Sequence, residues 1–127
     1  MLGLIANGEA HRRANQVAGV LRKELAGLWN RLGVPGCVYG EASIVNYSLE
    51  RDLSAPPAPG ERDHRRLQTI AQPDAYHALR CALILHGVDI APLHGWVSAV
   101  HSEAELEATV RAFEKALILM QEDGCFA

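Results

Sequence analysis

No apolar run in these 127 residues approaches the roughly 18–20 needed to span a bilayer, so no membrane segment is expected. Met1–Ala6 is apolar but short, and it lacks the basic flank and cleavage site of a secretory signal. There is no excess of positive charge. The formal net charge is −3, which gives no electrostatic case for nucleic acid or an anionic surface. Arg62, Arg65 and Arg66 with His64 form a local basic cluster, but Glu61 and Asp63 sit among them, so a solvated charged loop is expected there. Cysteine is scarce and odd in number. Cys37, Cys81 and Cys125 lie far apart with no CxxC pair, which excludes a disulfide framework and points to reduced thiols. A cytoplasmic location follows by default. No glycine-rich phosphate cradle precedes a helix, since Gly33 and Gly36 read as a helix stop and a turn. The six histidines match neither a HExxH motif nor a finger pattern: His94 and His101 are seven apart, His77 and His86 nine apart.

What is present fits a soluble globular protein, with 49% hydrophobic and 21% charged residues. A chain of this length buries roughly two-thirds of its unfolded surface, enough for one core, so residues 1–127 are read as one domain. Residues 8–32 predict a long helix. Val17, Val20, Leu21, Leu25, Leu28 and Leu32 make one apolar face, and Arg12, Arg13, Arg22, Lys23 and Arg31 fall mainly on the other. Gly33 caps it and Pro35 prevents continuation. Cys37–Tyr39 and Ser43–Leu49 predict strands joined by Gly40-Glu41-Ala42. Ile44 and Tyr47 break strict alternation, which predicts a bulge or burial on both faces. Residues 51–72 predict a long loop, carrying Pro56, Pro57, Pro59 and Gly60.

The last third is denser. Pro73 and Asp74 open a helix whose face is Tyr76, Leu79 and Leu83, and Gly87 ends it. Val88–Ala91 and Trp96–Val100 predict two short strands around a turn from Pro92 to Gly95. Ser102 and Glu105 match a capping box, and Leu106, Val110, Phe113, Leu117 and Met120 then recur at helical spacing until Gly124. The order α, β, β, loop, α, β, β, α predicts an α+β fold: two layers, a small and mostly antiparallel sheet with helices packed on one face. Cys37 and Cys81, in apolar segments, are expected in the core, as by default are Trp29 and Trp96, although Trp96 beside Gly95 would also suit an interface aromatic. Cys125 is placed in the terminal tail, where it could oxidise between molecules.

The run Gly87-Val88-Asp89-Ile90-Ala91-Pro92, followed by Val97-Ser98-Ala99-Val100-His101-Ser102-Glu103, resembles the C-terminal end of the class III pyridoxal-phosphate-dependent aminotransferases, especially the glutamate-1-semialdehyde aminomutase-like branch. Leu28–Tyr39, with Gly40 and Ser43, resembles that family's helix end and first strand pair. The resemblance implies an aminotransferase small-domain fold, and it implies that the Schiff-base lysine lies in a large domain upstream. It also implies that the turn carrying His94, Gly95 and Trp96 faces the active-site cleft. Many relatives have a longer turn there with a glutamate near the substrate. Leu93-His94-Gly95 has no carboxylate, which argues against aminomutase specificity and for a transaminase-like relative.

The candidate chemistry within the chain is thin. A pyridoxal enzyme needs a lysine and a carboxylate on the pyridine nitrogen. Lys23 and Lys115 are the two lysines, and both fall among charged residues on amphipathic helices. No cofactor, pyridoxal phosphate included, is therefore expected to bind this chain alone, and no metal. His101, just before the Ser102 cap, reads as part of the helix entry. Ser98, His101 and Asp89 do not form a nucleophile elbow, and Ser98 is expected on a packed strand. Three functional readings follow. The first is a non-catalytic small domain, stand-alone or truncated, that is inactive by itself and buries its docking face in a homodimer or against a separate large-domain chain. The second is an independent small-molecule or protein-binding module with its own pocket. The third is an enzyme with a new site built from His94, Tyr47 and Glu41 near the sheet edge, which requires those side chains within hydrogen-bond reach.

Overall fold

The long helix is built as its periodicity dictates. In the computed structural model, which describes residues 2–58, 60 and 63–126, helix α2 runs Glu9–Leu32 after a single turn, α1, Leu2–Ile5. Met1, Pro59, Glu61, Arg62 and Ala127 lie outside the described residues, and with them two members of the predicted charged loop. Gly33 ends α2 at φ 63°, where a left-handed residue closes the helix and Val34 N–H reaches back to the Trp29 carbonyl at 3.0 Å. The buried face of α2 is Ala14, Ala18, Leu25, Leu28 and Trp29, with Leu21 and Leu32 partly covered. Val20, expected on that face, points outward instead.

Strands β1 (Val38–Tyr39), β2 (Ile44–Tyr47) and β3 (His94–Trp96) form an antiparallel sheet in the order β1-β2-β3. Val38 pairs with Tyr47 and Tyr39 with Asn46; across the other edge Ile44 pairs with Trp96, Val45 with Gly95 and Asn46 with His94. Because strand side chains alternate, Val38, Val45 and Tyr47 share one face, and all three are buried in the main core. α2, α4 (Pro73–Leu85) and α5 (Glu103–Glu122) supply the rest of that core. The predicted two-layer α+β architecture is what forms. Trp29, Tyr47, Tyr76 and Phe113 meet at its centre, with ring centroids 5.8–6.2 Å apart.

The opposite sheet face has two halves. At the β1 side, Cys37 and Tyr39 are buried under Leu53 and Leu67, contributed by the 51–72 segment, which also holds a single helical turn, α3 (His64–Leu67). That two-sided burial belongs to β1; in β2 Ile44 is exposed while Val45 and Tyr47 are buried and the pairing is regular, so neither the bulge nor the burial on both faces expected around Ile44 and Tyr47 forms. At the β3 side no such cover is present among the described residues.

The last third departs from expectation. Val88–Ala91 is not a strand; it contributes only an isolated bridge from Ala91 to His94. The turn is narrower than predicted, Pro92-Leu93, with Leu93 at φ 74°. Proline at the first central position and a left-handed residue at the second suit a tight turn, though glycine would normally take the second place. His94 is therefore the first residue of β3, not part of the turn. After Trp96 the chain makes one more ladder bond, Val97 N–H to the Ser43 carbonyl at 2.9 Å, and then leaves the sheet. The capping box at Ser102 and Glu105 forms as predicted. Cys81, expected in the core, is exposed on α4, while Cys37 is buried and Cys125 partly so. No described helix is long and apolar enough to cross a membrane.

Candidate functional site

The residues that sequence singled out on β3 lie at the open half of the sheet. His94 and Trp96 are two apart and so project to the same face, opposite the helices. Their partners Asn46 and Ile44 on β2 join them there. The imidazole of His94 stands edge-on to the indole of Trp96, centroids 4.5 Å apart at 72°. Trp96 is 66% exposed, against 2% for Trp29, so the expectation that both pack in the core holds for Trp29 and fails for Trp96. An aromatic and an isoleucine on an open sheet face, beside histidine and asparagine, make an apolar anchor with polar neighbours. Gly95, between them, faces the core side, where a Cβ would meet nothing within 4 Å.

On the helical side of the same strand lies a groove of about 350 Å³. Val17 and Leu21 of α2, Val45 of β2, Val88 and Ile90, Trp96 at its rim, Val97 and Leu106 of α5 form its apolar wall. Four polar side chains line it, and each already has an intramolecular task; the Thr109 hydroxyl donates to the Glu105 carbonyl at 2.8 Å. Asp89 holds Arg80 through two oxygens at 2.9 and 3.3 Å, and that guanidinium keeps its carboxyl below the ordinary range. The His101 Nδ1 accepts the Ser98 N–H at 2.9 Å. Glu105 accepts the Ser102 N–H at 2.7 Å and its hydroxyl, which together hold its carboxyl low. The groove therefore offers shape and apolar contact more than free acid–base groups.

The other proposed constellations come apart. Tyr47 lies buried on the core face, His94 on the opposite face, and Glu41 is exposed at the β1–β2 turn, so the three are not brought together. Burial pushes the Tyr47 phenol up to about 12, and its hydroxyl lies 3.5 Å from the Ala91 carbonyl. Ser98 is exposed beyond the end of β3, not on a packed strand; its hydroxyl accepts the Val100 N–H at 3.4 Å, and Asp89 is committed to Arg80. His101 has the helix-entry role expected of it. A buried polar knot at the end of β2 went unforeseen. The Tyr76 hydroxyl accepts the Leu49 N–H at 2.9 Å, Ser48 Oγ accepts the Glu50 N–H at 3.0 Å, and Glu50 accepts the Ala71 N–H at 3.0 Å. It fastens the start of the 51–72 segment to α4, and the hydroxyl and carboxylate types in Ser48-Leu49-Glu50 are the signal that could have found it.

A pyridoxal group fits these residues poorly. Lys23 and Lys115 are exposed on α2 and α5, neither lines the groove, and the groove's charged side chains are carboxylates, which would repel a phosphate. Among the described residues, no group of three or more potential metal ligands comes together.

Solved structures place this geometry. The chain is similar to an omega-transaminase from Sphaerobacter thermophilus, at 30% identity and a TM-score of 0.69, over 85% of this chain and 24% of that one. It is similar in fold to a transaminase with PLP bound, at 24% identity and a TM-score of 0.68, over 92% of this chain and 25% of the other. A glutamate-1-semialdehyde-aminomutase from Pseudomonas aeruginosa PAO1 matches at 20% identity and 0.63, over 86% and 23%. The chain thus spans about a quarter of the length of the solved proteins it matches. No protein-family model and no curated protein matches the sequence.

Proposed function

We propose that this chain, which has the small-domain fold of the class III aminotransferases, serves as a non-catalytic docking domain that completes a pyridoxal enzyme whose lysine and phosphate cradle lie in a large domain. The observation that carries this reading is the half-covered sheet. The chain buries the β1 side of the outer face with its own 51–72 segment and leaves Ile44, His94 and Trp96 uncovered at the β3 side. Exposed aromatic and aliphatic side chains gathered on one sheet face suit burial by a partner. His94, Gly95 and Trp96 are the residues we assign to the cleft side of that contact. The position of the two lysines favours the same division of labour, since Lys23 and Lys115 are exposed on α2 and α5 and neither lines the groove.

Borohydride reduction of the chain mixed with pyridoxal phosphate, followed by peptide mass mapping, tests the non-catalytic part. Only trace, unsaturable labelling of Lys23 and Lys115 is expected. Stoichiometric labelling of one of them would overturn the reading. The groove of about 350 Å³ favours a second reading, an independent module for a small apolar ligand. Saturable binding of an apolar dye, lost on Leu106→Arg and retained on Ile44→Ala, would favour that module over the docking domain.

A further inference from the structure

The outward face of α4 is unusual for a solvent-facing helix surface. His77, Cys81, Ile84 and Leu85 fall at helical spacing along it, and all four are exposed, Leu85 at 76%. His77 and Cys81 are one turn apart, with the imidazole Nε2 3.6 Å from the thiol sulfur. A tetrahedral zinc ion with bonds of about 2.3 Å to sulfur and about 2.0–2.1 Å to nitrogen holds those two donor atoms about 3.6 Å apart. The pair therefore stands at the chelating separation, and a turn of the side chains aims both donors at one ion. Charge does not oppose a cation there. Arg80, the adjacent basic residue, is engaged by Asp89, and Asp74 precedes His77 by three residues on the same stripe.

We propose that His77 and Cys81 are a two-donor half-site for a thiophilic divalent cation of the zinc class, and that the same pair from a second copy of this chain completes it. Two donors leave a tetrahedral ion half-coordinated, and no third histidine, cysteine or carboxylate gathers with them among the described residues. A second α4 crossing the first on a two-fold axis supplies an identical pair, which is how a symmetric interface shares a residue with its own mate. The same crossing covers Ile84 and Leu85, one turn further along, so the apolar half of the stripe gains a partner as the ion is bound. The Cys81 thiol gives up its proton to solvent on coordination, and His77 binds as the neutral imidazole.

Co2+ titration of the reduced chain, read by absorbance and by light scattering on the same samples, tests this. The expected result is thiolate-to-cobalt charge-transfer absorption with the ligand-field bands of a tetrahedral site, saturating at one ion per two chains as the mass doubles. Cys81→Ser and His77→Ala change exposed positions and should leave the circular dichroism unchanged while losing both the band and the doubling. Three results would overturn the proposal: no charge-transfer band in the wild-type chain, a band that survives in Cys81→Ser, or saturation at one ion per chain with the mass of a monomer.

Discussion

The two tryptophans are the same residue in opposite surroundings, and replacing each by alanine should separate packing from docking. Trp29 is 2% exposed and touches Tyr47 and Phe113 at 6.2 and 5.8 Å between centroids. Its removal leaves a cavity in the main core and should cost about 4 kcal/mol. Trp96 keeps two-thirds of its surface in water, and its principal aromatic contact is the edge of His94. Its loss should cost about 1 kcal/mol. At about 2.1 cal/mol/K per residue, the unfolding entropy of 127 residues is about 0.27 kcal/mol/K. Trp29→Ala should then lower the melting temperature by about 15 °C and Trp96→Ala by about 4 °C. Thermal melts followed by circular dichroism at one fixed chain concentration give the numbers. Fluorescence gives a check on placement: in Trp96→Ala the surviving emission should be blue-shifted and shielded from iodide. A Trp96→Ala variant that melts as early as Trp29→Ala would refute the open face, because it would mean that Trp96 is structural. So would a wild-type emission with no iodide-accessible component.

Four further outcomes are expected. Gly36→Ala should lose about 3 kcal/mol or more, since its Cβ would sit 2.0 Å from the Ser48 carbonyl oxygen at φ 89°, spoiling the 2.8 Å bond from Ser48 N–H to the Cys37 carbonyl; urea unfolding with Gly3→Ala as control reads it. Tyr76→Phe should lose about 2 kcal/mol by orphaning the buried Leu49 N–H, visible as a lower urea midpoint at unchanged slope. Ser102→Ala should lose about 1 kcal/mol from the α5 cap, and Ser102→Asp should restore most of it, by the same assay. Alkaline pH should destabilise the chain. Burial raises Cys37 from 9.0 to about 11 and Tyr47 from 10.0 to about 12, so the unfolded chain sheds these protons first; their stabilising effect is full below about pH 9 and is lost as pH rises through 11 and 12. Melting temperatures from pH 8 to 12 should fall more steeply in the wild type than in Tyr47→Phe.

The helices were legible because their signals are local. Gly33, Pro73, Gly87 and the Ser102–Glu105 box mark ends that depend on a few neighbouring residues, and the observed ends fall within two residues of those marks. Cys81 could have been placed correctly from the same information. It lies two residues from Leu79, about 200° around the helix, and therefore opposite the buried face. The strands were harder. Val88–Ala91 is as apolar as a strand, yet its valine and isoleucine pack against the core from an irregular segment. Leu93 hides the turn, since a leucine at φ 74° carries none of the glycine or asparagine signal that a left-handed position usually shows. With the turn read two residues too wide, His94 left the strand and Trp96 seemed to begin one. The exposure of Trp96 follows from its pairing with Ile44 while Val45 and Tyr47 face inward, and pairing register is a non-local property.

That register also bears on what the domain is for. A small sheet with helices on one face must leave its other face to solvent, to its own loops, or to a partner. This chain uses its own loop on one half: Leu53 and Leu67 reach across to bury Cys37 and Tyr39, and the Ser48–Glu50–Tyr76 knot fastens that segment in place. The same face at β3 carries Trp96 and Ile44 without cover. Were solvent the intended neighbour of that half, polar residues at these two exposed positions would serve at no cost to the core, because Val45, Tyr47 and the aromatic cluster lie on the other side. Retaining an indole and an isoleucine there is costly for solubility and gains the fold little. The proposed docking would supply that gain, and Trp96→Lys with Ile44→Lys should then yield a chain that melts only a few degrees below the wild type and is less prone to self-associate, measured by melting temperature and by light scattering across a concentration series. An unchanged tendency to associate would move the docking surface away from the sheet.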